Sequence, residues 1–131
     1  MDKAPVRGSE YAMLVCDVDE DGNDIDGLVH PEVSAPLATY ATWNRRSKEI
    51  GAEKEGMTLF GSMLPFSLRD PAPQGDKRRS IEARYSSCED YLAKVRAAVQ
   101  ALIADRMILP EDEGIVIAAA RERYAYLTAG P

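Results

Sequence analysis

The sequence predicts an α+β chain in one domain, with a β-hairpin over residues 11–30, an irregular segment over 31–79 and helices over 80–127. Three observations predict this order. An acidic, glycine-containing turn separates two short apolar runs, the middle mixes aromatic residues with prolines and glycines, and apolar residues recur at helical spacing toward the C-terminus. A length of 131 residues is typical of one domain that buries a core without disulfides or a metal.

The composition of the chain limits the classes of partner that it is expected to bind. The net charge of −6 argues against nucleic acid and anionic membranes, because both attract basic patches. The sequence has no run of about 18 apolar residues and so predicts no membrane span. Residues 1–8 lack the apolar centre of a signal peptide, so we expect a cytoplasmic chain or one cut from a longer chain. Cys16 and Cys88 have no metal-type spacing, and we predict ordinary thiols and no cofactor or metal.

The hairpin is predicted from its turn. Six acidic residues and no base fall in the ten positions 17–26. Asp-Gly-Asn at 21–23 is typical of a tight turn with positive φ, and the apolar runs 13–18 and 25–29 would be its strands. We expect these acids to be solvated, where they would discourage edge-to-edge pairing.

The same turn has a second interpretation as a calcium loop. Asp17, Asp19, Asp21 and Gly22 match the first, third, fifth and sixth positions of an EF-hand. The match fails afterwards, because Asp24 stands where an apolar residue is needed and Leu28 where the bidentate glutamate is needed. The hairpin turn is therefore favoured over a calcium site.

The middle segment carries the candidate binding residues. Residues 37–43 are compatible with an extended segment or with a short helical turn. Aromatic bodies with hydrogen-bonding ends are typical of pocket walls, but anchoring of this segment onto a core by Tyr40 and Trp43 is favoured over a pocket role for them. The candidates for a substrate pocket are Thr39, Tyr40, Trp43, Asn44 and Phe66.

No catalytic residue is predicted. His30 precedes Pro31 and has no nucleophile or orienting partner near it in sequence, so a surface-loop histidine is favoured. Ser62 follows Gly61 directly, which departs from the G-x-S-x-G nucleophile elbow, and Pro65 discourages the helix that should follow. The basic residues at 77–79 could touch a phosphate or a carboxylate, but we expect a solvated loop.

Two helices are predicted at the C-terminal end, after one or two helical turns over 80–85. Ser86 and Glu89 form a capping box for a helix over about 87–107, and Leu92, Val95, Val99, Leu102, Ile103 and Met107 fall on one stripe of it. Pro110, followed by acids at 111–113, marks a second helix that reaches about Tyr126. The short break predicts an antiparallel helical hairpin, in which alanines would allow close approach.

These stretches resemble the C-terminal region of a poorly characterised bacterial family of α/β-hydrolase-domain proteins. The resemblance covers about residues 12–125, and it is carried by residues 18–23, 28–33, 36–44, 61–66 and 80–85. The most distinctive part is Thr39-Tyr40 with Trp43-Asn44, followed later by Leu64-Pro65-Phe66.

The resemblance implies a serine hydrolase of esterase or lipase type, with its nucleophile elbow and most of its sheet upstream of these residues. We therefore expect the tail of an α/β-hydrolase rather than a complete one. Whether the chain is itself an enzyme is left open.

Three functions are compatible with the sequence. The favoured one is a non-catalytic C-terminal segment that packs beside the substrate cleft of a hydrolase-like protein, against the remainder of that chain or a second copy of itself. The alternative is a free-standing, non-enzymatic interaction module, as a monomer or as a homodimer. The third is a calcium-dependent module, based on the spaced aspartates.

Overall fold

The acidic turn is the first element of the fold. A computed structural model of the protein describes residue 8 and residues 16–51, 56–57, 60–72 and 75–129. Val18 and Asp24 form one antiparallel bridge around the turn, so the predicted hairpin turn is present. The predicted arm at 25–29 is not a strand, because the chain bends over residues 26–28. Of the other predicted arm, residues 13–15 lie outside the described residues.

A β-ribbon follows. Helix α1 (Pro31–Ser34) leads into strand β1 (Ala38–Ala41), which pairs antiparallel with β4 (Ser62–Pro65). A shorter pair, β2 (Asn44–Arg45) with β3 (Gly56–Met57), is nested inside the first in chain order. The sequence of segment 37–43 was compatible with an extended or a helical conformation. Residues 38–41 of this segment are extended and form β1.

Gly61 lets the two sides of this ribbon approach closely. A Cβ atom at this position would lie 2.5 Å from the carbonyl oxygen of Ala41, a distance that real side chains do not tolerate. Next to it, the Ser62 hydroxyl donates to the carbonyl oxygen of Trp43 at 3.0 Å. The glycine and this hydrogen bond join the strands where the ribbon is interrupted.

The helical part begins with α2 (Ile81–Arg84) and continues with α3 (Cys88–Ala104). The N-cap is Ser87, one residue later than predicted, and the reciprocal hydrogen bond reaches the residue before it. Ser87 accepts a hydrogen bond from the backbone N–H of Asp90 at 3.1 Å, and the Asp90 carboxylate accepts from the backbone N–H of Ser86 at 3.0 Å. The hydrogen bond from the Ser86 backbone is the first cause of a lowered pKa at Asp90.

Helix α3 ends earlier than predicted. Arg106 adopts a left-handed φ of 61°, and the N–H of Met107 donates to the carbonyl of Leu102 at 2.8 Å, which closes the helix end. Met107, predicted on the buried stripe, is consequently 60% exposed. A 3-10 turn (Pro110–Asp112) then leads into α4 (Glu113–Thr128). Helices α3 and α4 pack against each other, which confirms the helical hairpin.

The core lies between α3 and the segments that cross it. Tyr91 stacks on Tyr124 of α4 with ring centroids 5.3 Å apart, and Tyr85 meets the edge of Tyr91 at 5.1 Å. The fully buried members include Leu37, Ile81, Leu92, Val95 and Val99. This mixture of short strands and a helical hairpin confirms the predicted α+β class. Within the described part of the chain, no helix is both long and apolar enough to cross a bilayer.

Candidate ligand groove

A groove of about 530 Å³ lies where the acidic turn meets the β-ribbon. We call it the Trp43 groove. Its lining comes from the turn, from β1 and β2, and from β4: Val18, Gly22, Asp24, Thr39, Ala41, Thr42, Trp43, Asn44, Arg45, Ser62 and Leu64. A volume of this size is within the range of small-molecule sites in proteins.

The turn is held together by its own side chains. One carboxylate oxygen of Asp19 accepts hydrogen bonds from the backbone N–H groups of Asp21 and Asn23, both at 2.9 Å. Asp17 accepts from the N–H of Val18 at 3.0 Å. These aspartates therefore bind backbone groups of the turn itself, the use typical of Asx turns, rather than converging on a calcium position.

Asn23 docks the turn onto β1. Its side chain is fully buried, donates to the carbonyl of Ala38 at 3.2 Å and accepts from the N–H of Tyr40 at 2.7 Å. The amide thus satisfies the strand as a neighbouring strand would. This pair of hydrogen bonds fixes the distance between the turn and β1, and hence the width of the Trp43 groove.

Thr39 contributes its methyl group to the packing of the groove, because its hydroxyl is already hydrogen-bonded within the protein. Its hydroxyl donates to the carbonyl of Asp21 and accepts from Nη1 of Arg78 at 2.8 Å. Its methyl group lies close to Gly22, since a Cβ atom there would be 3.1 Å from Thr39 Cγ2. Gly22 also has a φ of +79°, so the turn needs glycine for its conformation and for the space.

The outer wall of the groove is apolar. Trp43 is 49% exposed and Leu64 is 52% exposed, although both are large hydrophobic residues. Asn44 turns its side-chain oxygen to the N–H of Arg45 at 2.8 Å, which leaves its amide nitrogen as the end that can donate. Exposed apolar walls with a few polar ends are typical of a binding surface.

The structure separates the five sequence candidates. Thr39, Trp43 and Asn44 lie together on the groove, whereas Tyr40 and Phe66 do not line it. Tyr40 alternates with Thr39 along β1, and burial followed by the Glu32 charge raises its pKa to about 12. Phe66 is buried. Contact of any of the five with a substrate stays a prediction.

Two arginines, Arg78 and Arg84, connect segments that lie around the groove. Arg84 forms an ion pair with Asp21, and its guanidinium lies 4.3 Å from the centroid of the Phe66 ring. Arg78 lies 5.1 Å from the same centroid, and its other contacts are Asp76, Thr39 and the carbonyl oxygens of Leu64 and Pro65.

The expectation of solvated acids and a solvated basic loop is therefore wrong at Asp21 and Arg78. Asp21 is 6% exposed, and the Arg78 side chain is held on several sides by the contacts above. No local signal predicts the pair of Asp21 with Arg84, because the two residues are 63 positions apart.

Ser62 and His30 lie at different places. Ser62 lines the groove from β4, with its hydroxyl bonded to Trp43. His30 is exposed and caps α1, where its Nδ1 accepts from the N–H of Glu32 at 3.3 Å. Its ring borders a separate depression together with Leu109. The structure does not pair these two residues as a nucleophile and its base.

Residues 2–118 match a family model described as an alpha/beta hydrolase domain. The chain belongs to this family. No curated protein and no solved structure matched it. The match covers the turn, the β-ribbon, α2, α3 and the start of α4, and so includes the whole Trp43 groove.

In this α/β-hydrolase-domain chain, the described strands form two two-stranded sheets, β1 with β4 and β2 with β3. A doubly wound hydrolase fold is built on a larger, mostly parallel sheet. The described residues are thus consistent with part of that fold.

Proposed function

We propose that this chain is a non-catalytic C-terminal segment of an α/β-hydrolase-like protein of esterase or lipase type, packed beside the substrate cleft. The observation that carries the proposal is the family match over residues 2–118, in a chain where Ser62 and His30 lie apart. A serine hydrolase needs its nucleophile within hydrogen-bond reach of its base. The Trp43 groove is the part of this segment that would face the cleft.

The exposed apolar wall supports this placement. Val18, Trp43 and Leu64 all line the groove, and each is about half exposed. Burial of apolar surface contributes roughly 25 cal/mol per Å² to association. Such a wall gains stability when a ligand or another part of a protein covers it.

The test is a pair of measurements on the purified 131-residue chain. We expect no turnover of short and medium nitrophenyl esters above a buffer blank, and no labelling by a fluorophosphonate serine probe. Ser62→Ala and the matched surface variant Ser47→Ala should then behave like the parent chain. Turnover together with a label on Ser62 that disappears in Ser62→Ala would overturn the proposal.

The size of the protein in its cell tests the second part of the proposal, namely that this chain is a segment of a larger hydrolase-like protein. A C-terminal epitope tag at the gene should report a polypeptide well above 14.4 kDa, or the chain should co-migrate with a larger hydrolase component through size exclusion. A tagged species that runs alone at about the mass of this chain would contradict the proposed segment.

A second candidate function is favoured by a different surface. Leu28, Met107 and Leu109 are each about 60% exposed and border one depression of about 370 Å³, which we call the Leu109 depression. An interaction module that forms a homodimer would bury such a surface. Sedimentation equilibrium separates the two functions, because a dimer that Leu109→Ser dissociates and Ile50→Ser does not would favour the module.

A further inference from the structure

The acidic turn, residues 17–26, forms one wall of the Trp43 groove, because Val18, Gly22 and Asp24 line the groove from this side. We propose that this turn is a movable wall, which opens away from β1 as one unit while the rest of the fold stays closed, and that one buried ion pair holds it shut. The inference goes beyond the proposed function, since it concerns access to the groove and does not depend on what the groove faces.

The turn has no hydrophobic anchor on the rest of the fold. None of the buried hydrophobic residues of the described chain lies within residues 16–29. Val18, Ile25 and Leu28 are 48%, 50% and 64% exposed. Burial of apolar surface is the main force that holds a fold together, and segments with few buried apolar contacts open at a lower free energy than the whole protein unfolds. The turn can therefore leave β1 without exposing a buried hydrophobic side chain of its own.

Polar contacts attach the turn to β1 instead. The side chain of Asn23 forms hydrogen bonds with the backbone of Ala38 and Tyr40. The carbonyl oxygen of Asp21 accepts from the Thr39 hydroxyl. Water replaces hydrogen bonds of this kind when the groups separate, so each contributes only modest net stability. Opening of the turn therefore exchanges these contacts for contacts with water.

The ion pair of Asp21 with Arg84 is the charged attachment of the turn. Arg84 donates to both carboxylate oxygens of Asp21, and each side chain is about nine-tenths buried. Charged, two-pronged hydrogen bonds are stronger than neutral ones. Because Arg84 belongs to α2, this pair connects the turn to the helical part and is not one of the hydrogen bonds of the β-ribbon. Loss of the pair should therefore release the turn and leave the ribbon intact.

The turn keeps its own hydrogen bonds when it moves. The Asp19 carboxylate accepts from the N–H groups of Asp21 and Asn23, and the Asp19 N–H donates to the Asn23 carbonyl at 2.8 Å. The chain then bends over residues 26–28, where Gly27 has a φ of +79°. Glycine has the widest range of backbone conformations, so a hinge directly after the turn is compatible with this position.

Hydrogen exchange of single amides, followed by NMR on the parent chain, tests the movement. The N–H groups of β1 alternate between its two sides. That of Tyr40 donates to Asn23 of the turn, whereas that of Thr39 faces Leu64 of β4. The Tyr40 amide should exchange about tenfold faster than the Thr39 amide and the Val95 amide of α3. Its rate should also stay constant in low urea, because opening of the turn exposes little surface.

Two variants test the ion pair. Asp21→Asn should speed exchange of the Tyr40 amide by about tenfold, because it weakens the attachment of the turn without removing the hydrogen bond of that amide. Acrylamide should also quench the emission of Trp43, the single tryptophan, more strongly in this variant, since the groove loses a wall. Glu82→Gln, which breaks the exposed pair with Arg69, is the matched control and should behave like the parent chain in both measurements.

A core variant separates opening of the turn from unfolding of the protein. Val99 is fully buried in α3, so Val99→Ala should destabilise the core and speed exchange of the Val95 amide. It should leave the Tyr40 amide as in the parent chain, because the core stays packed when only the turn opens. If Val99→Ala does not fold, the urea dependence of the two amides in the parent chain makes the same distinction.

Any of three results would overturn the inference. The first is a Tyr40 amide that exchanges at the rate of the Val95 amide with the same urea dependence, because the turn then opens only when the whole protein unfolds. The second is a Thr39 amide that exchanges as fast as that of Tyr40, because the ribbon then separates as a whole. The third is an Asp21→Asn variant that matches the parent chain in exchange and in quenching. The proposed function fails independently, if the chain hydrolyses esters through Ser62.

Discussion

Arg84 donates from both of its terminal nitrogens to the two carboxylate oxygens of Asp21, with Nη1 2.7 Å from Oδ2, across 63 residues of sequence. Both side chains are about nine-tenths buried. The guanidinium also covers the Phe66 ring, so the pair connects the acidic turn, β4 and α2. A two-pronged pair in this position fixes geometry as well as charge.

The first prediction concerns this pair. Asp21→Asn should lower the free energy of unfolding by about 3–5 kcal/mol, because it leaves the Arg84 charge buried without its partner. Urea unfolding followed by circular dichroism measures the change. Glu82→Gln, which breaks the exposed pair with Arg69, should cost no more than about 1 kcal/mol. Equal losses of unfolding free energy in both variants would show that the buried pair of Asp21 with Arg84 stabilises the fold no more than an exposed ion pair does.

The second prediction concerns the interrupted ribbon. Gly61→Ala should destabilise the protein by about 1–3 kcal/mol, because the new Cβ would meet the Ala41 carbonyl oxygen. Gly114, near the start of α4, is the control, since a Cβ there meets no atom within 4 Å. Gly114→Ala should leave stability unchanged or raise it by up to about 1 kcal/mol. Thermal unfolding of both variants measures the two changes in stability. A Gly61→Ala variant as stable as the parent chain would contradict the close approach of Gly61 to the Ala41 carbonyl.

The third prediction compares the hydroxyl groups of two tyrosines. The Tyr40 hydroxyl is buried and has no hydrogen-bond partner among the described residues, whereas the Tyr85 hydroxyl donates to the Pro36 carbonyl at 3.0 Å. Tyr40→Phe should therefore be neutral or stabilising by up to about 1 kcal/mol, and Tyr85→Phe should cost about 1 kcal/mol. Denaturant unfolding measures both. A larger loss at Tyr40 than at Tyr85 would mean that the Tyr40 hydroxyl has a partner.

The fourth prediction is a pH dependence. Hydrogen bonds from the side chain and then the backbone of Arg78 lower the pKa of Asp76 to about 2. A lowered folded-state pKa means that the contribution to stability is present above the ordinary pKa near 4, and is lost as the pH falls through about 2. The difference in unfolding temperature between the parent chain and Asp76→Asn should therefore shrink between about pH 4 and pH 2.

A control accompanies this titration. Asp26 is an exposed carboxylate of the acidic turn, so Asp26→Asn gives a baseline for the loss of one negative charge. A difference for Asp76→Asn that does not change with pH across this interval would contradict the role of the Arg78 hydrogen bonds.

The sequence predicted the helical hairpin well because its signals are local. Apolar spacing placed Leu92, Val95 and Val99 correctly in the core, and serine followed by acids marked the start of α3. The end of α3 was missed because Arg106, rather than glycine, adopts the left-handed conformation there. Met107 was consequently assigned to a buried stripe that the helix does not reach.

Part of the predicted set lies together in the structure. Thr39, Trp43 and Asn44 line one groove, which is expected of residues that fall within six positions of sequence. Their role as substrate-pocket residues stays a prediction. Tyr40 was grouped with them because the segment was not assigned as a strand, and only in a strand do neighbours point to opposite faces. The contacts of Arg78 with Thr39 and of Arg84 with Asp21 could not be predicted, since these residues come together only when distant segments fold.

Asn23 also affects how this chain can join other polypeptides. Its side chain occupies the hydrogen-bonding groups of Ala38 and Tyr40 on the free edge of β1. At the far end of β4, Pro65 has no N–H to donate, and its carbonyl accepts from Arg78. Asn23 thus closes this part of the β1 edge to backbone pairing, which protects it against edge-to-edge aggregation. A partner that meets β1 here is recognised by shape and hydrophobic complementarity rather than by extension of a common sheet.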